Sequence, residues 1–429
     1  MNKIIIAALF FFSLNLAAQN AVDDLVLKGY KLATQEKYAD AISFFKKGIS
    51  LDSNCNTCLT YWGACEASLG NHKAAVDIYT RAIDKNDPQA LFQRAESYYA
   101  LEDMDNYCRD GHQFLHNMHH IYQDTLLQDL VKRLKPTLKE VCDSTNFAYF
   151  MHRGIAASNL GNYTASLAAY AKGLTLFPNQ PILLNYQGNV LLETKNFTAA
   201  IESYERALKQ EKAIADFVKG KTMYPTDADV AAFVAVTYQS IAICYAELGN
   251  MERAVEWING AEKRFPKTKD LHEGFAASLA GIYATKGGIL MNINNFKDAK
   301  ICFEQMLEHN GNDPSGYFNY ALCLLNENTQ RVKIRRLSLN INHVKYAVQN
   351  NINIELPSKR AEIPADVLDL AMFSVNRAIK LSPKFGDAYL LRGVIQLQMG
   401  NNGAACLDFE SARQLDNPQA TTYQKENCK

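Results

Sequence analysis

"RGIAASNLGNYTASLAAYAKGLTLFPNQPILLNYQGNVLLETKNFTAAIESYERAL", residues Arg153 to Leu208, decides the fold because it says nearly the same thing twice. Gly154 and Gly188 stand 34 residues apart, and so do Gly29 and Gly63 earlier in the chain. In each period two apolar patterns of helical spacing flank a short turn containing Gly-Asn, Lys-Asn or Glu-Lys, such as Gly161-Asn162 or Lys195-Asn196. Self-similarity of that kind predicts stacked helical hairpins.

The columns have a mechanical reason. Two helices approach closely only where one presents Gly, Ala or Ser. On the first helix that column reads Gly29, Gly63, Ala95, Gly154, Gly188, Ala242, Gly287, Ala321 and Gly393. On the second helix the small residues Ala41, Ala75, Ser166, Ala200, Ala254, Ala299, Ala371 and Ala405 are expected to face that notch. Four residues later comes a large side chain: Phe45, Tyr79, Tyr170, Tyr204, Ile258, Phe303, Val375 or Phe409. These are expected to fill the space between hairpins. Pro178, Pro266 and Pro383 then stop their helices, because proline donates no hydrogen bond and restricts the residue before it.

This pattern resembles the tetratricopeptide repeat family over nearly all of the chain. The resemblance implies an all-α, right-handed superhelical α-solenoid of about nine helix-turn-helix repeats. Its concave face, lined by the first helix of each unit, would hold an extended peptide or a partner helix. The repeats fall at 22–55, 56–87, 88–142 (degenerate, with a connecting helix), 147–180, 181–214, 235–268, 280–313, 314–385 and 386–418. A connecting insertion is expected at 215–234 and a C-terminal cap at 419–429, since solenoid ends need covers. Some members of the family hold a partner's C-terminal carboxylate through Lys, Arg and Asn. The matching first-helix positions here are Val26, Leu27, Tyr30, Thr60, Tyr61, Ala64, Phe92, Gln93 and Glu96, with no cation to pair with a carboxylate. The most polar groove positions lie further on: His152, Asn185, Tyr186, Asn189 and Gln239. Side-chain amides can bond both the N–H and C=O of an extended backbone, so a peptide is expected there. Polar helix surface without a ligand is the bland alternative.

The eighth repeat is interrupted by an arm at 328–365. Its apolar residues alternate at Val332 and Ile334, then at Leu337, Leu339 and Ile341, a period of two that argues for a strand or hairpin. Arg331, Lys333, Arg335 and Arg336 make it basic. An exposed edge guarded by charge is the plain reading, and contact with an acidic partner the functional one.

Within the 429 residues, 45 basic and 45 acidic side chains cancel, which argues against a nucleic-acid coat. Residues 1–18 read as a secretory signal peptide: Lys3, an apolar run from Ile4 to Leu14, then Ala17 and Ala18. The mature chain is therefore expected to be exported, periplasmic or extracellular, with no later segment able to span a membrane. Ten cysteines are compatible with that address but scattered. Cys55 and Cys58 form a CxxC pair without the strand-helix setting of a redox motif, and read as chance or as a strained bridge. Cys406 and Cys428 are expected to bridge the last repeat to its cap.

"GHQFLHNMHH", Gly111 to His120, lies in the least regular repeat. Tyr107 stands there where a small residue is expected, Gly111 where a large one is, and Phe114 where Ala is. His112, His116 and His119 share one helix face opposite Phe114, Leu115 and Met118, with Cys108 one turn earlier. The Glu of a metalloprotease motif is missing: Gln113 and Asn117 follow the histidines. A solvated helix face is the main reading and weak metal binding the alternative. No phosphate loop, nucleophile elbow or carboxylate pair is recognisable, and no cofactor is called for. The sequence thus points to an exported, non-enzymatic scaffold for a protein or peptide partner. An envelope accessory using the His-rich helix for metal or carbohydrate is the second reading.

Overall fold

The computed structural model describes residues 21–83, 88–118, 125–221, 227–266, 273–329, 337–342, 345–350 and 363–428. These residues are helical except for one short β-hairpin. Contacts divide the chain into two units, Met1–Pro178 and Asn179–Lys429.

In the first unit the helices are α1 (21–33), α2 (Tyr38–Leu51), α3 (Asn56–Ser68), α4 (His72–Ile83) and α5 (Pro88–Ala100). They continue as α6 (Met104–Met118), α7 (Thr125–Val141), α8 (Phe147–Asn159) and α9 (Tyr163–Leu176). Consecutive helices pack as hairpins, α3 on α4, α5 on α6 and α8 on α9, with α7 added beside α6.

The second unit holds α10 (Pro181–Glu193), α11 (Phe197–Leu208), α12 (Glu211–Lys221), α13 (Asp227–Glu247) and α14 (Met251–Arg264). After them come α15 (Glu273–Asn292), α16 (Phe296–His309) and α17 (Pro314–Thr329), then α18 (Ala365–Leu381), α19 (Gly386–Met399), α20 (Asn402–Gln414) and α21 (Ala420–Asn427). Between α17 and α18, β1 (Leu337–Asn342) pairs antiparallel with β2 (Lys345–Asn350), Leu339 opposite Val348.

The turns explain their own sequence. Reversing direction in three or four residues needs one residue in the left-handed region, and an acceptor for the next helix's first N–H groups. In Gly161-Asn162, Gly161 takes φ +75° while the Asn162 side chain accepts a hydrogen bond from the Ala165 N–H. Asn250 and Asn295 cap α14 and α16 in the same way. At Lys195 the left-handed residue carries a side chain, with φ 60°, so that turn stores strain which glycine would not.

The small-residue notches are filled from within each hairpin, which corrects the expected packing. A Cβ on Gly188 would lie 2.6 Å from Tyr204 Cε1, and one on Gly287 would lie 2.8 Å from Phe303 Cζ. Gly29 meets Phe45, Gly63 meets Tyr79 and Gly393 meets Phe409 in the same manner. The large residue of the second helix thus lies across its own first helix, and the small residue one turn earlier lets the backbones close. These rings, all fully buried, form the spine of the core.

Gly111 obeys the same logic with a different donor. Its notch is filled by Leu138 of α7, whose Cδ2 would sit 2.7 Å from an added Cβ. The large residue missing from α6 is supplied by the extra helix, which the Cys108–Cys142 disulfide ties to α6.

One expectation about membranes needs correcting. Among the described residues, α13 is long and apolar enough to cross a bilayer by length and composition. Its apolar character has a packing cause: α13 lies against α11, α12, α14 and α15, burying Ala235, Ile241, Ala242 and Cys244.

Candidate functional site

First-helix positions in the first unit carry large side chains that the core does not absorb. Leu27 and Tyr30 of α1 are 67% and 48% exposed, and Tyr30 lies 5.6 Å, centroid to centroid, from Tyr61 of α3. The third hairpin and α7 enclose a cavity of about 240 Å³. Phe92, Glu96 and Tyr99 of α5, Tyr107 of α6, and Arg133, Leu134 and Thr137 of α7 line it.

The degenerate repeat produces this cavity for a local reason. Tyr107 occupies the column where other second helices place Ala or Ser, so a ring stands at the crossing, edge-on to Tyr99 at 5.1 Å. Phe92 and Phe114 meet at 5.6 Å, and Leu134 of α7 joins the lining from a buried cluster that also holds Leu130 and Leu138. Burial raises the Glu96 carboxyl above its ordinary range, opposed by the nearby Arg133 charge. Burial also raises the Tyr99 phenol, assisted by the carboxylates of Glu140, Glu96 and Glu102. The Tyr107 phenol is raised by burial first and then by Glu96.

The polar positions expected to recognise a peptide are largely engaged inside the protein. Asn185 Nδ2 donates to Thr237 Oγ1 at 2.9 Å, tying α10 to α13. Asn189 Oδ1 accepts from the buried Tyr204 hydroxyl at 2.8 Å. Gln239, only 2% exposed, cannot touch a partner; its Nε2 donates to Gly281 O and Thr285 Oγ1 at 3.0 and 2.8 Å, locking α13 to α15. Tyr186 is half-buried, with its phenol raised by burial. Asn185, Tyr186 and Asn189 do share one partly exposed face of α10. His152 lies in the other unit, its Nε2 3.7 Å from Glu140 Oε1.

His112 and His116 are exposed on α6, and His119 lies outside the described residues. No cluster of three or more His, Cys, Asp or Glu side chains able to hold a metal occurs among the described residues. Cys108 is oxidised to Cys142 and so offers the stripe no thiolate ligand. Arg331, Lys333, Arg335 and Arg336 also lie outside the described residues.

Cys55 is bonded to Cys58 at the start of α3, where the Cys55 sulfur also accepts from the Cys58 N–H. Cys406 is bonded to Cys428, fastening α21 over α20. The four remaining cysteines, Cys65, Cys244, Cys302 and Cys323, are buried thiols. Burial pushes the Cys244 thiol up to about 12 and the Cys65 and Cys302 thiols to about 11, so they stay protonated and unreactive at neutral pH.

Two buried ion pairs escaped sequence reasoning. Arg94 of α5 grips Asp110 of α6 through two hydrogen bonds, 2.6 and 3.1 Å, with the carboxylate fully buried. Arg392 and Asp408 repeat the arrangement between α19 and α20 at 2.8 and 2.6 Å. Both arginines stand one residue before the notch column and both aspartates 16 residues later, a spacing that could have revealed them.

Family models match part of the repeat array. Tetratricopeptide repeat families match residues 152–215 and 235–268, so these two stretches are similar to tetratricopeptide repeats. No curated relative matches the chain. Among solved structures, the Cut9-Hcn1 hetero-tetramer of APC/C is similar at 10% identity and a TM-score of 0.44, covering 95% of this chain and 96% of that one. YrrB, a TPR protein with an unusual peptide-binding site, is similar at 15% identity and a TM-score of 0.38 over 60% of this chain and 98% of its own. MamA of Desulfovibrio magneticus RS-1 is 14% identical, with a TM-score of 0.36, over 55% of this chain and 95% of its own.

Proposed function

We propose that this protein is an exported, non-enzymatic scaffold built from nine hairpin repeats, and that it holds a peptide segment or helix of a partner protein on its first-helix face. The observation that carries the reading is the exposure of Leu27, Tyr30 and Tyr99 on first helices, beside a cavity lined by Phe92 and Tyr107. Second helices also expose apolar side chains, Phe373 and Leu407 among them, but among the described residues only on first helices does an exposed ring stand next to another, as Tyr30 does to Tyr61, or line a cavity, as Tyr99 does. Three disulfides support an oxidising compartment, periplasmic or extracellular. Asn185 and Tyr186 remain the contact candidates of the second unit, with the basic residues 331–336 as a separate contact for an acidic partner. Affinity capture from the protein's own envelope extract, read by mass spectrometry, tests the scaffold reading. A partner recovered with the parent chain and lost on Tyr30→Ala together with Tyr99→Ala supports it. Equal recovery with that double variant, at unchanged melting temperature, contradicts it.

A further inference from the structure

The cavity between α5, α6 and α7 has a composition that selects its occupant. Its walls are the rings of Phe92, Tyr99 and Tyr107 and the side chain of Leu134. Its lining carboxylate is Glu96, whose opposing charge in the lining is Arg133. Around Tyr99 stand two further carboxylates, Glu102 and Glu140, the latter 3.7 Å from His152 Nε2. One Glu102 oxygen accepts from Asn159 Nδ2, while the other is buried with no hydrogen-bond partner. Among the described residues Arg133 is the one cation in the lining, and it is exposed on α7. Glu96, Glu102 and Glu140 thus outnumber Arg133 around Tyr99, and an incoming cation would offset them. Ring faces attract a cation through their quadrupole, and a charge-assisted hydrogen bond to a carboxylate is about twice as strong as a neutral one.

We propose that this cavity receives a basic side chain, a lysine of the partner segment, with its alkyl stem against Phe92, Tyr107 and Leu134 and its ammonium on Glu96 beside the Tyr99 ring. Arg133 then faces the residue next to that lysine and favours an acidic or carbonyl-rich neighbour. A cavity of about 240 Å³ suits one long side chain and not a folded domain. This inference rests on the scaffold reading and deepens it: the cavity is where the first-helix face reads sequence.

The probe is an acetylated, amidated pentapeptide, Gly-Ala-Lys-Ala-Gly, compared with its norleucine and glutamate counterparts by NMR titration of the full chain. The expected result is at least tenfold tighter binding of the lysine peptide than of either counterpart. That preference should be lost in Glu96→Gln and weakened several-fold in Tyr99→Leu, with the fold kept in both as judged by the melting temperature. A tyrosine or leucine substitution could disturb packing, so Arg133→Gln serves as the second arm and should strengthen lysine binding about two- to fivefold. Equal binding of lysine and norleucine peptides, or undiminished preference in Glu96→Gln, overturns the proposal. Those results would leave the scaffold reading intact if the parent chain still loses its partner on the Tyr30 and Tyr99 double substitution, so the two failures can be told apart.

Discussion

Replacing Gly287 by alanine would place a methyl carbon 2.8, 2.9 and 3.0 Å from three carbons of the Phe303 ring. Carbon atoms at rest sit roughly 3.5–4.0 Å apart, so the ring must retreat by most of an ångström. It has nowhere to go: Phe303 is fully buried among Ala299, Cys302, Met306 and Phe318. Overpacking of a tight core costs about 1–3 kcal/mol, and three simultaneous close contacts put this site at the upper end. Alanine returns about 1 kcal/mol through its better helix propensity, leaving a net loss of about 2 kcal/mol. For a unit of this size, that lowers the melting temperature by roughly 4–8 °C. The control is Gly403, near the start of α20, where an added Cβ meets nothing within 4 Å. There the same substitution should stabilise by about 0.5–1 kcal/mol. Adding Phe303→Leu to Gly287→Ala should relieve the clash, so the double variant is more stable than the two single effects sum to. Calorimetric melts of the four variants decide the matter. A Gly287→Ala chain as stable as Gly403→Ala, or strict additivity with Phe303→Leu, would refute the notch mechanism.

Other outcomes follow from single contacts. Asp110→Ala strands the Arg94 guanidinium in a nearly buried position and should cost about 3–5 kcal/mol in denaturant unfolding. Asn189→Ala removes the acceptor of the buried Tyr204 hydroxyl and should destabilise by about 1–3 kcal/mol, so this residue cannot be a purely surface contact. Cys406→Ser opens a loop with a sequence separation of 22 and should cost about 3 kcal/mol, with faster amide exchange confined to α21; non-reduced peptide mapping that finds both thiols free would contradict the bridge. Hydrogen bonds from Arg413, Gln414 and Gln424 hold the Glu410 carboxyl down at about 2, below its ordinary 4.5. Its stabilising contact is therefore complete above about pH 4.5 and lost as pH falls toward 2, which should show as an earlier loss of α21 protection than of α19 protection in acid.

How much of this was legible in the sequence depends on the range of the contact. The pairing of Gly188 with Tyr204 lies within one repeat, so its 34-residue period prints both columns, and the hairpins can be read from them. The direction of the ring cannot: a column of large residues says that something is filled, and only the structure shows that Phe303 lies over its own Gly287. The third repeat reads as degenerate because its filler, Leu138, comes from a helix outside the repeat. Asn185, Asn189 and Gln239 look alike in a sequence, yet Gln239 lies 42 residues from the carbonyl it binds, and no local pattern encodes that partner. The cavity was hidden for the same reason. Phe92 and Glu96 were visible as groove positions without a cation, whereas Arg133 and Leu134 belong to the helix that breaks the period.

The central claim is that the first-helix face holds the partner. Site-specific photo-crosslinking tests this most directly, from Tyr30, Tyr99 and Asn185 on first helices against the exposed Asp77, Glu202 and Phe373 of second helices. Phe373 is the stringent control, since it is 66% exposed and apolar yet lies on a second helix, α18. Crosslinks to the partner are expected from the first-helix positions and none from Asp77, Glu202 or Phe373. Crosslinks from Phe373 and Glu202, with none from Tyr30, Tyr99 or Asn185, would contradict it.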